Sequence, residues 1–286
     1  MKIFITGCTG IIGKTLTSRL LSEGHFIGGI RGLQACEIES PNHTCQKLML
    51  SDWESSNLAF VSDYDVLIHL AWITTPNKYA DSSENYIWLN KSKMLFTEFK
   101  KSKSPLIISS GTCLEYGEAR KDFLSETENV NPSTIYAKCK LELLNFLSAM
   151  NVKYIWPRTF FQYGELEPNQ KIISTLISSS KSGLQMNIRN PLRKIDYIYY
   201  KDVAEIYSKL LNSDFSGVIN AGTGTGYSIE DLANYIYTVS KNRINLISVM
   251  NNKIETDIIS NNDLLFRTIG EHKFTSIEEG IHKMLK

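Results

Sequence analysis

Tyr136 and Lys140 are the residues whose types and spacing point most directly to chemistry. They form a Y-x-x-x-K pattern, and residues four apart on a helix lie on one face, so the ammonium can sit beside the phenol. A tyrosine with its ordinary pKa near 10 is a poor acid–base catalyst at neutral pH. We expect the lysine charge to lower that pKa and make Tyr136 a proton-transfer group. The alternative is a half-buried helix tyrosine beside a surface lysine.

A run of small hydroxyl residues precedes this pair in the segment SSGTCLEYG, 109–117. It closes the apolar run PLIISS, which reads as a buried strand, and ligands of parallel sheets bind at the carboxyl ends of strands. The alternative is a strand that simply ends in a turn. With the Tyr-Lys pair downstream, the segment predicts a hydroxyl group at an active site.

Three glycines mark the start of the chain, where TGCTGIIGKTL places Gly7, Gly10 and Gly13 between a strand and a helix. Glycines let the backbone turn tightly and approach a pyrophosphate, whose charge rests on the helix N-terminus. The loop therefore predicts a dinucleotide site that includes Ile11 and Ile12. The alternative is a glycine-rich turn without a ligand.

The residues at the end of the second strand, GGIRG, indicate which dinucleotide binds. Enzymes that use NAD usually carry an acidic residue there, which holds the ribose 2′-hydroxyl. Arg31 stands in that place, and a guanidinium pairs with a 2′-phosphate. NADP(H) is thus favoured over NAD(H), which stays possible. The alternative is a solvated charge at the strand end.

The elements that must position these residues alternate between strand and helix. The predicted strands of the first half are 2–7, 25–30, 46–50, 65–72, 105–110 and 153–159. Helices are predicted after the glycine loop and over about 84–101 and 134–150. This alternation is typical of right-handed β-α-β units, and we expect an α/β fold with a doubly wound parallel sheet.

The pattern loosens after Gly164, and this change predicts the domain organisation. A helix over 169–181, strands over 196–200 and 217–222, and capping patterns at Ser228 and Ser276 follow. We expect a Rossmann-like dinucleotide-binding domain over 1–164 and 195–224. Residues 165–194 and 225–286 are then a smaller substrate-binding lobe.

The composition limits the partners. Among 286 residues, 31 Lys and Arg balance 30 Asp and Glu, so a nucleic-acid partner or an anionic membrane surface is disfavoured. No apolar stretch is long enough for a membrane span. The N-terminal MKIFITG runs straight into a strand pattern, so we expect a cytoplasmic protein.

The cysteines are the last compositional feature. There are five, Cys8, Cys36, Cys45, Cys113 and Cys139, without a C-x-x-C pattern. We expect scattered, reduced thiols and no metal site.

Taken together, these motifs resemble the extended short-chain dehydrogenases/reductases of the NAD-dependent epimerase/dehydratase type. The matching segments span nearly the whole chain: GCTGIIG, HLAW, SSGTCLEYG, YAKCK, PRTFFQYG, RKIDYIYYKDVA and INAGTGTGYSIEDLA. The resemblance implies a Rossmann-like domain, a small C-terminal lobe that binds a nucleotide-activated sugar, and a Ser/Thr–Tyr–Lys catalytic set. Homodimers that pair the Tyr136 helix are usual in the family, and we expect one here.

The same resemblance implies roles for single residues. The catalytic hydroxyl falls on Thr112, four residues before the tyrosine of the YG signature. Tyr136 and Lys140 also contact the cofactor, Lys140 at the nicotinamide ribose. The other implied cofactor contacts are Asp52 at the adenine, and Leu70, Ala71 and Trp72 along the cofactor.

The sugar-nucleotide side is less closely defined by the resemblance. Arg193 matches an arginine that contacts the diphosphate, and Arg267 is expected to assist it. Trp72 is either a wall of the sugar pocket or a packing residue. Thr112, Cys113 and Phe161 are the other positions expected on the substrate side.

Two departures from the family pattern bear on the reaction. Sugar-nucleotide dehydratases carry an Asp-Glu pair after the catalytic threonine, where this chain has Cys113 and Leu114. Neither side chain can replace that acid–base pair, so a dehydratase is disfavoured. Phe161 stands where many epimerases have an asparagine, and the usual contact of that side chain is lost.

We therefore expect an oxidoreductase that uses NADPH to reduce the C4 ketone of a nucleotide-linked 4-keto-6-deoxysugar (dTDP-, CDP- or GDP-linked). Tyr136 would supply the proton and Thr112 would orient the carbonyl. One alternative is a 4-epimerase that retains NAD, which Arg31 disfavours. Another is a non-catalytic dinucleotide-binding protein, which the intact Thr-Tyr-Lys set disfavours.

Overall fold

The structure is a computed structural model that describes residues 1–76, 78–117, 123–183, 185–249 and 256–286. Its strands are β1 (Lys2–Thr6), β2 (Phe26–Arg31), β3 (His43–Lys47), β4 (Val66–His69), β5 (Leu106–Ser109), β6 (Gly111–Thr112), β7 (Lys153–Thr159), β8 (Phe161–Tyr163), β9 (Gln185–Ile188), β10 (Ile195–Tyr199), β11 (Gly217–Ala221), β12 (Gly226–Tyr227) and β13 (Asn245–Ser248). Its α-helices are α1 (Ile11–Ser22), α2 (Ser55–Leu58), α3 (Glu84–Phe99), α4 (Ile135–Ser148), α5 (Ile172–Ser182), α6 (Tyr200–Leu211), α7 (Ile229–Ser240), α8 (Asp263–Ile269) and α9 (Ile277–Leu285). Short 3-10 helices cover Leu50–Asp52, Ala59–Asp63 and Cys113–Tyr116.

A parallel sheet of seven strands forms the centre of the molecule. The strands pair in the order β11-β7-β5-β4-β1-β2-β3, and β6 continues beside β7 past the end of β5. The chain reverses direction along the sheet between β1 and β4, which is the doubly wound arrangement. The predicted α/β fold with a Rossmann-like parallel sheet is confirmed.

Helices cover both faces of this sheet, as the nearly continuous apolar strands require. Leu16 and Leu20 of α1 and Tyr207 of α6 are fully buried in the core on one face. Phe96 of α3 and Leu143 of α4 are fully buried on the other face. The α4 helix, which carries the Tyr-Lys pair, is thus held against the sheet by its apolar side.

A second, smaller core lies beyond the sheet. It joins helices α5, α7 and α9 to β8 and β10 and includes Leu176, Leu232 and Ile281, all fully buried. The helix α8 packs elsewhere, because its Leu265 is fully buried in the core beneath the central sheet. The predicted lobe of 165–194 and 225–286 therefore has one helix, α8, whose apolar face belongs to the sheet core.

A buried carboxylate ties three segments together where the second core meets the sheet. Asp196, at the start of β10, has no exposed surface. Its oxygens accept hydrogen bonds from the hydroxyls of Thr223 and Ser260, both at 2.6 Å, and from the backbone N–H of Gly224 at 3.0 Å. The loop after β11 and the segment before α8 are both held by this one side chain.

Two predicted strand boundaries were wrong. The third strand was placed at 46–50 on its apolar run, but β3 covers His43–Lys47, because pairing with β2 sets the register of this half-exposed edge strand. The strand predicted over 65–72 ends at His69. Beyond it, the backbone N–H of Ala71 donates at 3.2 Å to the side-chain hydroxyl of Thr6, in the neighbouring strand β1, instead of to a backbone carbonyl.

In the parts of the chain that the structure describes, every helix is too short or too polar to cross a bilayer.

Candidate active site

The glycine loop between β1 and α1 has no room for side chains at two of its glycines. Gly7 has φ +73°, and a Cβ there would lie 2.9 Å from the backbone nitrogen of Ala71. A Cβ on Gly13 would lie 2.0 Å from the carbonyl oxygen of Gly7. The backbone is therefore packed as tightly as a close approach to a pyrophosphate requires.

The amino end of α1 supplies the donors for such a ligand. Gly10 precedes the helix and contributes no side-chain cap. The first N–H groups of the helix, on Ile11, Ile12 and Gly13, have no carbonyl one turn earlier, and they carry the positive end of the helix dipole. The glycine loop and the start of α1 therefore fit a dinucleotide phosphate, which these backbone N–H groups would hold.

Positive side chains lie at the end of β2, where the adenosine of a dinucleotide is predicted. Arg31 ends β2, is half-buried, and donates to the carbonyls of Gly32 and Gln34 at 3.4 and 3.5 Å. The strand register places it opposite Lys47 of β3. A third cation nearby, Lys14, forms an ion pair with Glu37.

The other predicted cofactor contacts lie along the same edge of the sheet. Leu70 and Ala71 follow β4 directly and are half-buried. Asp52 ends a 3-10 helix, is exposed, and accepts a hydrogen bond from the Ser51 hydroxyl at 2.9 Å. Its contact with adenine stays a prediction.

The three predicted catalytic residues meet at the end of β5 and β6. The Lys140 ammonium is buried and donates to the Ser110 carbonyl at 2.9 Å. It lies 5.9 Å from the centre of the Tyr136 ring. The Thr112 hydroxyl is close enough to the phenol of Tyr136 to form a hydrogen bond with it. The structure thus brings Thr112, Tyr136 and Lys140 together.

Burial dominates the protonation of this set. It raises the pKa of Tyr136 well above its usual value, with further increases from Tyr79 and Glu115 and a smaller decrease from the hydrogen bond of Thr112. Burial also lowers the pKa of Lys140, to about 7. The expected lowering of the tyrosine pKa by the lysine is wrong for this structure, because desolvation is the larger effect. The phenol accordingly keeps its proton at neutral pH.

Aromatic residues enclose the lysine and the tyrosine. Trp72 is only 8% exposed, its ring centre lies 4.0 Å from the Lys140 nitrogen, and its Nε1 donates to Asn85 Oδ1 at 2.8 Å. Tyr79 packs edge-on against Tyr136 with ring centres 5.1 Å apart. Trp72 therefore packs beneath Lys140, and its contact with a sugar stays a prediction. Tyr79 follows Trp72 in the segment ITTPNKY, which the sequence placed with Trp72 in the expected wall of the sugar pocket without a separate role for this tyrosine.

A buried ion pair holds the backbone of Thr112 in place. Glu115 has no exposed surface. Its Oε2 accepts from Arg158 Nε at 2.8 Å, and its Oε1 accepts from Trp156 Nε1 at 3.0 Å and from the Thr112 backbone N–H at 2.9 Å. One carboxylate thus joins the segment after β5 to β7.

The sequence carries a capping pattern that predicts a structural role for Glu115. Thr112-x-x-Glu115 is a capping-box pattern, and the structure forms that box at the start of the 3-10 helix Cys113–Tyr116. The same pattern was recognised at Ser228 and Ser276, where both serine hydroxyls accept from the N–H three residues on. Arg158 lay inside a quoted family motif without an assigned role.

The predicted substrate residues occupy separate places. Cys113 is buried beside Tyr116 and Phe160, and Phe161 lies in β8 with its ring centre 6.2 Å from that of Tyr197. Arg193 precedes β10, and its Nε donates to the Thr256 carbonyl at 2.7 Å. Arg267 is exposed on α8, which packs against α6 and β11. Their contacts with substrate stay predictions.

Comparison with known proteins assigns this arrangement to a family. The sequence profile of the "NAD dependent epimerase/dehydratase family" matches residues 3–222. The chain belongs to this family. The match covers the glycine loop, the Thr-Tyr-Lys set and the whole central sheet, so the resemblance that the motifs carried is confirmed.

Two curated relatives illustrate the range of this epimerase/dehydratase family. A CDP-abequose synthase of Salmonella muenchen is 26% identical over 294 residues, covering 99% of this chain and 97% of that protein. A UDP-glucose 4-epimerase of Bacillus subtilis (strain 168) is 24% identical over 284 residues, covering 84% of this chain and 82% of that one.

Solved structures share the fold of this family member. A NAD dependent NDP-hexosamine 5,6-dehydratase, TunA, superimposes with a TM-score of 0.84 at 22% identity, covering 99% of this chain and 96% of that one. A UDP-glucuronic acid 4-epimerase from Bacillus cereus, in complex with NAD, gives a TM-score of 0.83 at 19% identity, covering 99% and 96%. At these identities the likeness establishes the fold.

The replacement Glu115→Gln is expected to lower the free energy of unfolding by about 3–5 kcal/mol, because it leaves the buried Arg158 without its counter-charge. Urea unfolding followed by circular dichroism measures this. The double variant Glu115→Gln/Arg158→Met should recover part of the loss, since it removes both buried charges. The control Glu142→Gln alters an exposed residue of α4 and should change stability by less than about 0.5 kcal/mol. A loss below about 1 kcal/mol for Glu115→Gln would contradict the role of the ion pair.

The replacement Lys140→Met is expected to raise the free energy of unfolding by roughly 2 kcal/mol near pH 6. Burial holds the pKa of Lys140 at about 7, below the usual 10.5. The unfolded chain therefore binds the proton more tightly, and wild-type stability rises with pH between these two values. The advantage of the variant should shrink toward about pH 10, as denaturant unfolding at both pH values would reveal. The exposed Lys138→Met on the same helix is the control, and an advantage that stays constant with pH would exclude this explanation.

Proposed function

We propose that this protein reduces the C4 ketone of a nucleotide-linked 4-keto-6-deoxysugar with NADPH. The observation that carries the proposal is the assembly of three groups at the ends of β5 and β6. The phenol of Tyr136 keeps its proton at neutral pH and lies beside the Thr112 hydroxyl and the Lys140 ammonium. A reduction of a ketone to an alcohol needs one proton on oxygen and one hydride on carbon, and a protonated phenol supplies the first.

The residues have distinct tasks in this reaction. When bound, the reduced nicotinamide supplies the hydride to the carbonyl carbon. Tyr136 donates its proton to the carbonyl oxygen, and the Thr112 hydroxyl donates a hydrogen bond that orients this oxygen. Lys140, fixed on the Ser110 carbonyl, is placed to hold the nicotinamide ribose and to stabilise the phenolate that remains. Solvent then returns the proton to Tyr136.

The residues after Thr112 favour simple reduction over water elimination. Elimination needs a base that removes a proton next to the ketone and an acid that protonates the leaving hydroxyl. Leu114 can do neither, and burial raises the pKa of the Cys113 thiol, which is only 3% exposed. A thiol that keeps its proton in an apolar cluster is a poor general base.

The charges at the end of β2 support NADP(H) as the cofactor. Arg31 and its register partner Lys47 place two cations where the adenosine ribose of a dinucleotide is expected. The hydrogen bonds of Arg31 go to backbone carbonyls at 3.4 Å or more, so a 2′-phosphate would find a guanidinium that is weakly engaged.

The relatives guide the choice of substrate class. Two of them are CDP-abequose synthases, from Salmonella muenchen and Yersinia pseudotuberculosis, and the first aligns over 99% of this chain. We therefore place CDP-linked sugars first in the substrate panel, followed by dTDP- and GDP-linked ones. Arg193, at the entry to β10, is the proposed contact to the diphosphate, and Arg267 the assisting one.

The second candidate is a sugar-nucleotide 4-epimerase that retains NAD. Relatives named as 4-epimerases and structural neighbours in complex with NAD favour it. An epimerase uses the same Thr-Tyr-Lys set but returns the hydride to the substrate, so it consumes no cofactor. A non-catalytic protein that only binds the dinucleotide is disfavoured because the three catalytic groups are assembled.

We also propose a homodimer that pairs the surfaces of α3 and α4. The two helices pack side by side, and the large apolar side chains of Tyr86 and Ile87 on α3 are each 52% exposed.

Incubation with NADPH and a panel of 4-keto-6-deoxy sugar nucleotides is expected to consume one NADPH per product, measured by loss of absorbance of the reduced cofactor. Tyr136→Phe should lower kcat by at least about 100-fold with cofactor affinity nearly unchanged, because it removes the proton donor and little else. The exposed Tyr86→Phe is the matched control and should retain full activity. Interconversion of C4 epimers without net NADPH loss would reject the reductase in favour of the epimerase.

The replacement Arg31→Asp is expected to reverse the cofactor preference, with NADPH affinity falling about 10–100-fold and NADH affinity rising. The new carboxylate repels a 2′-phosphate and can hold a free 2′-hydroxyl. Titration of both reduced cofactors by intrinsic fluorescence measures the two affinities. Arg243→Asp introduces the same charge change at an exposed site in the lobe and should leave both affinities unaltered. An unchanged preference for NADPH in Arg31→Asp would contradict the assignment.

A further inference from the structure

Three of the five cysteines gather at one place, beside the phosphate loop, although the sequence led us to expect scattered thiols and no metal. Cys36 lies in the loop between β2 and β3, and Cys45 lies in β3. The sulfur of Cys8, from the glycine loop, lies 3.4 Å from the sulfur of Cys45. The fold thus joins thiols that are far apart in sequence.

A histidine completes the group. The structure brings three possible ligand atoms, one from each of Cys36, His43 and Cys45, within 4.8 Å of one another. His43 and Cys45 are two residues apart on β3, so their side chains point to the same face of the strand. The loop before β3 brings Cys36 onto that face.

The neighbouring strand leaves room for these side chains. Gly29 of β2 is the register partner of Cys45, and a Cβ on Gly29 would lie 2.7 Å from the Cys8 sulfur. Any larger residue at Gly29 would displace the thiol. The absence of a side chain on β2 therefore creates the space in which the sulfurs meet.

A hydrogen bond fixes the imidazole of His43. Its Nδ1 lies 3.0 Å from the Ile38 carbonyl oxygen. A carbonyl only accepts, so Nδ1 carries the proton and Nε2 offers its lone pair. The Nε2 atom is buried and has no hydrogen-bond partner among the described residues. Metal-binding histidines commonly donate their second ring N–H to a backbone carbonyl in this way.

We propose that Cys36, His43 and Cys45 bind a Zn²⁺ ion, and that the sulfur of Cys8, which lies beside that of Cys45, moves in as the fourth donor. Zinc prefers tetrahedral sets of thiolate and imidazole ligands, with Zn–S bonds of about 2.3 Å. That bond length and a tetrahedral angle separate two sulfurs by about 3.8 Å, close to the 3.4 Å between the sulfurs of Cys8 and Cys45. Three thiolates and a divalent ion leave one net negative charge.

The position of the ion gives it a structural task. It would join the loop between β2 and β3 to the edge strand and to the glycine loop. These are the segments that flank the predicted adenosine end of the cofactor. The ion lies apart from Thr112 and Tyr136, and it takes no part in the proposed proton and hydride transfer.

Metal analysis after reduction, loading with Zn²⁺ and extensive dialysis tests the proposal. We expect about one zinc ion per wild-type chain. Cys36→Ser and Cys45→Ser should each lower the zinc affinity by at least about 100-fold, because the loss of a direct ligand costs more than the 10–100-fold typical of outer partners. Cys139→Ala, in α4, and His282→Gln, exposed on α9, are the matched controls and should keep the ion.

A second measurement uses the unaltered chain, so that misfolding of a variant cannot mimic the result. A chelator should increase the number of thiols that react with a thiol reagent under native conditions by two or three, and Zn²⁺ should reverse the increase. Substitution with Co²⁺ should give the absorption of a tetrahedral thiolate site. No retained zinc in the reduced wild-type protein, or a Cys8–Cys45 disulfide that forms equally with and without metal, would overturn the proposal.

Discussion

The buried pair of Glu115 and Arg158 is the interaction on which the active-site geometry depends. A carboxylate without exposed surface is tolerated only where its charge and its lone pairs are matched. Here the guanidinium matches the charge, while the indole of Trp156 and the backbone of Thr112 fill the remaining acceptor positions. Because the pair bridges β7 and the segment after β5, it fixes the backbone that carries the proposed catalytic hydroxyl.

Lys140, the proposed catalytic lysine, shows the opposite situation. Lys140 is as deeply buried as Glu115, but its direct polar contact is a neutral carbonyl, with an aromatic ring on another side. A carbonyl and a π-face compensate a buried ammonium less well than a carboxylate does, which is why its pKa falls to about 7. The protein therefore holds one buried charge that a counter-charge matches and another that rests on a neutral carbonyl and an aromatic ring.

The sequence was most informative where one residue type has one physical use. Gly7 and Gly13 sit where no Cβ fits, so a glycine pattern predicts the loop correctly. The apolar run of β4 is buried on both faces, and its place in the sheet followed from that. In contrast, the edge strand β3 was misplaced, since half of its residues face solvent and only its pairing with β2 defines it.

For the site, local patterns predicted which residues meet but not their electrostatics. The spacing of Tyr136 and Lys140 placed both on one helix face, whereas the depth of their burial depends on Trp72 and Tyr79 from a distant loop. Desolvation by such neighbours reversed the expected direction of the tyrosine pKa. The sequence could not predict the thiol cluster either. The cluster forms only when Gly29 and three chain segments come together in the fold.

The carboxylate of Asp196 has a consequence for how the sequence of the second core can vary. It gathers the loop after β11 and the segment before α8 around the first residues of β10, using hydrogen bonds that involve mostly backbone and two small hydroxyls. The helices α5, α7 and α9 lie beyond this junction and supply none of these hydrogen bonds. Their surfaces can therefore change, residue by residue or as a block, while Asp196, Thr223 and Ser260 hold the second core in place beside the central sheet.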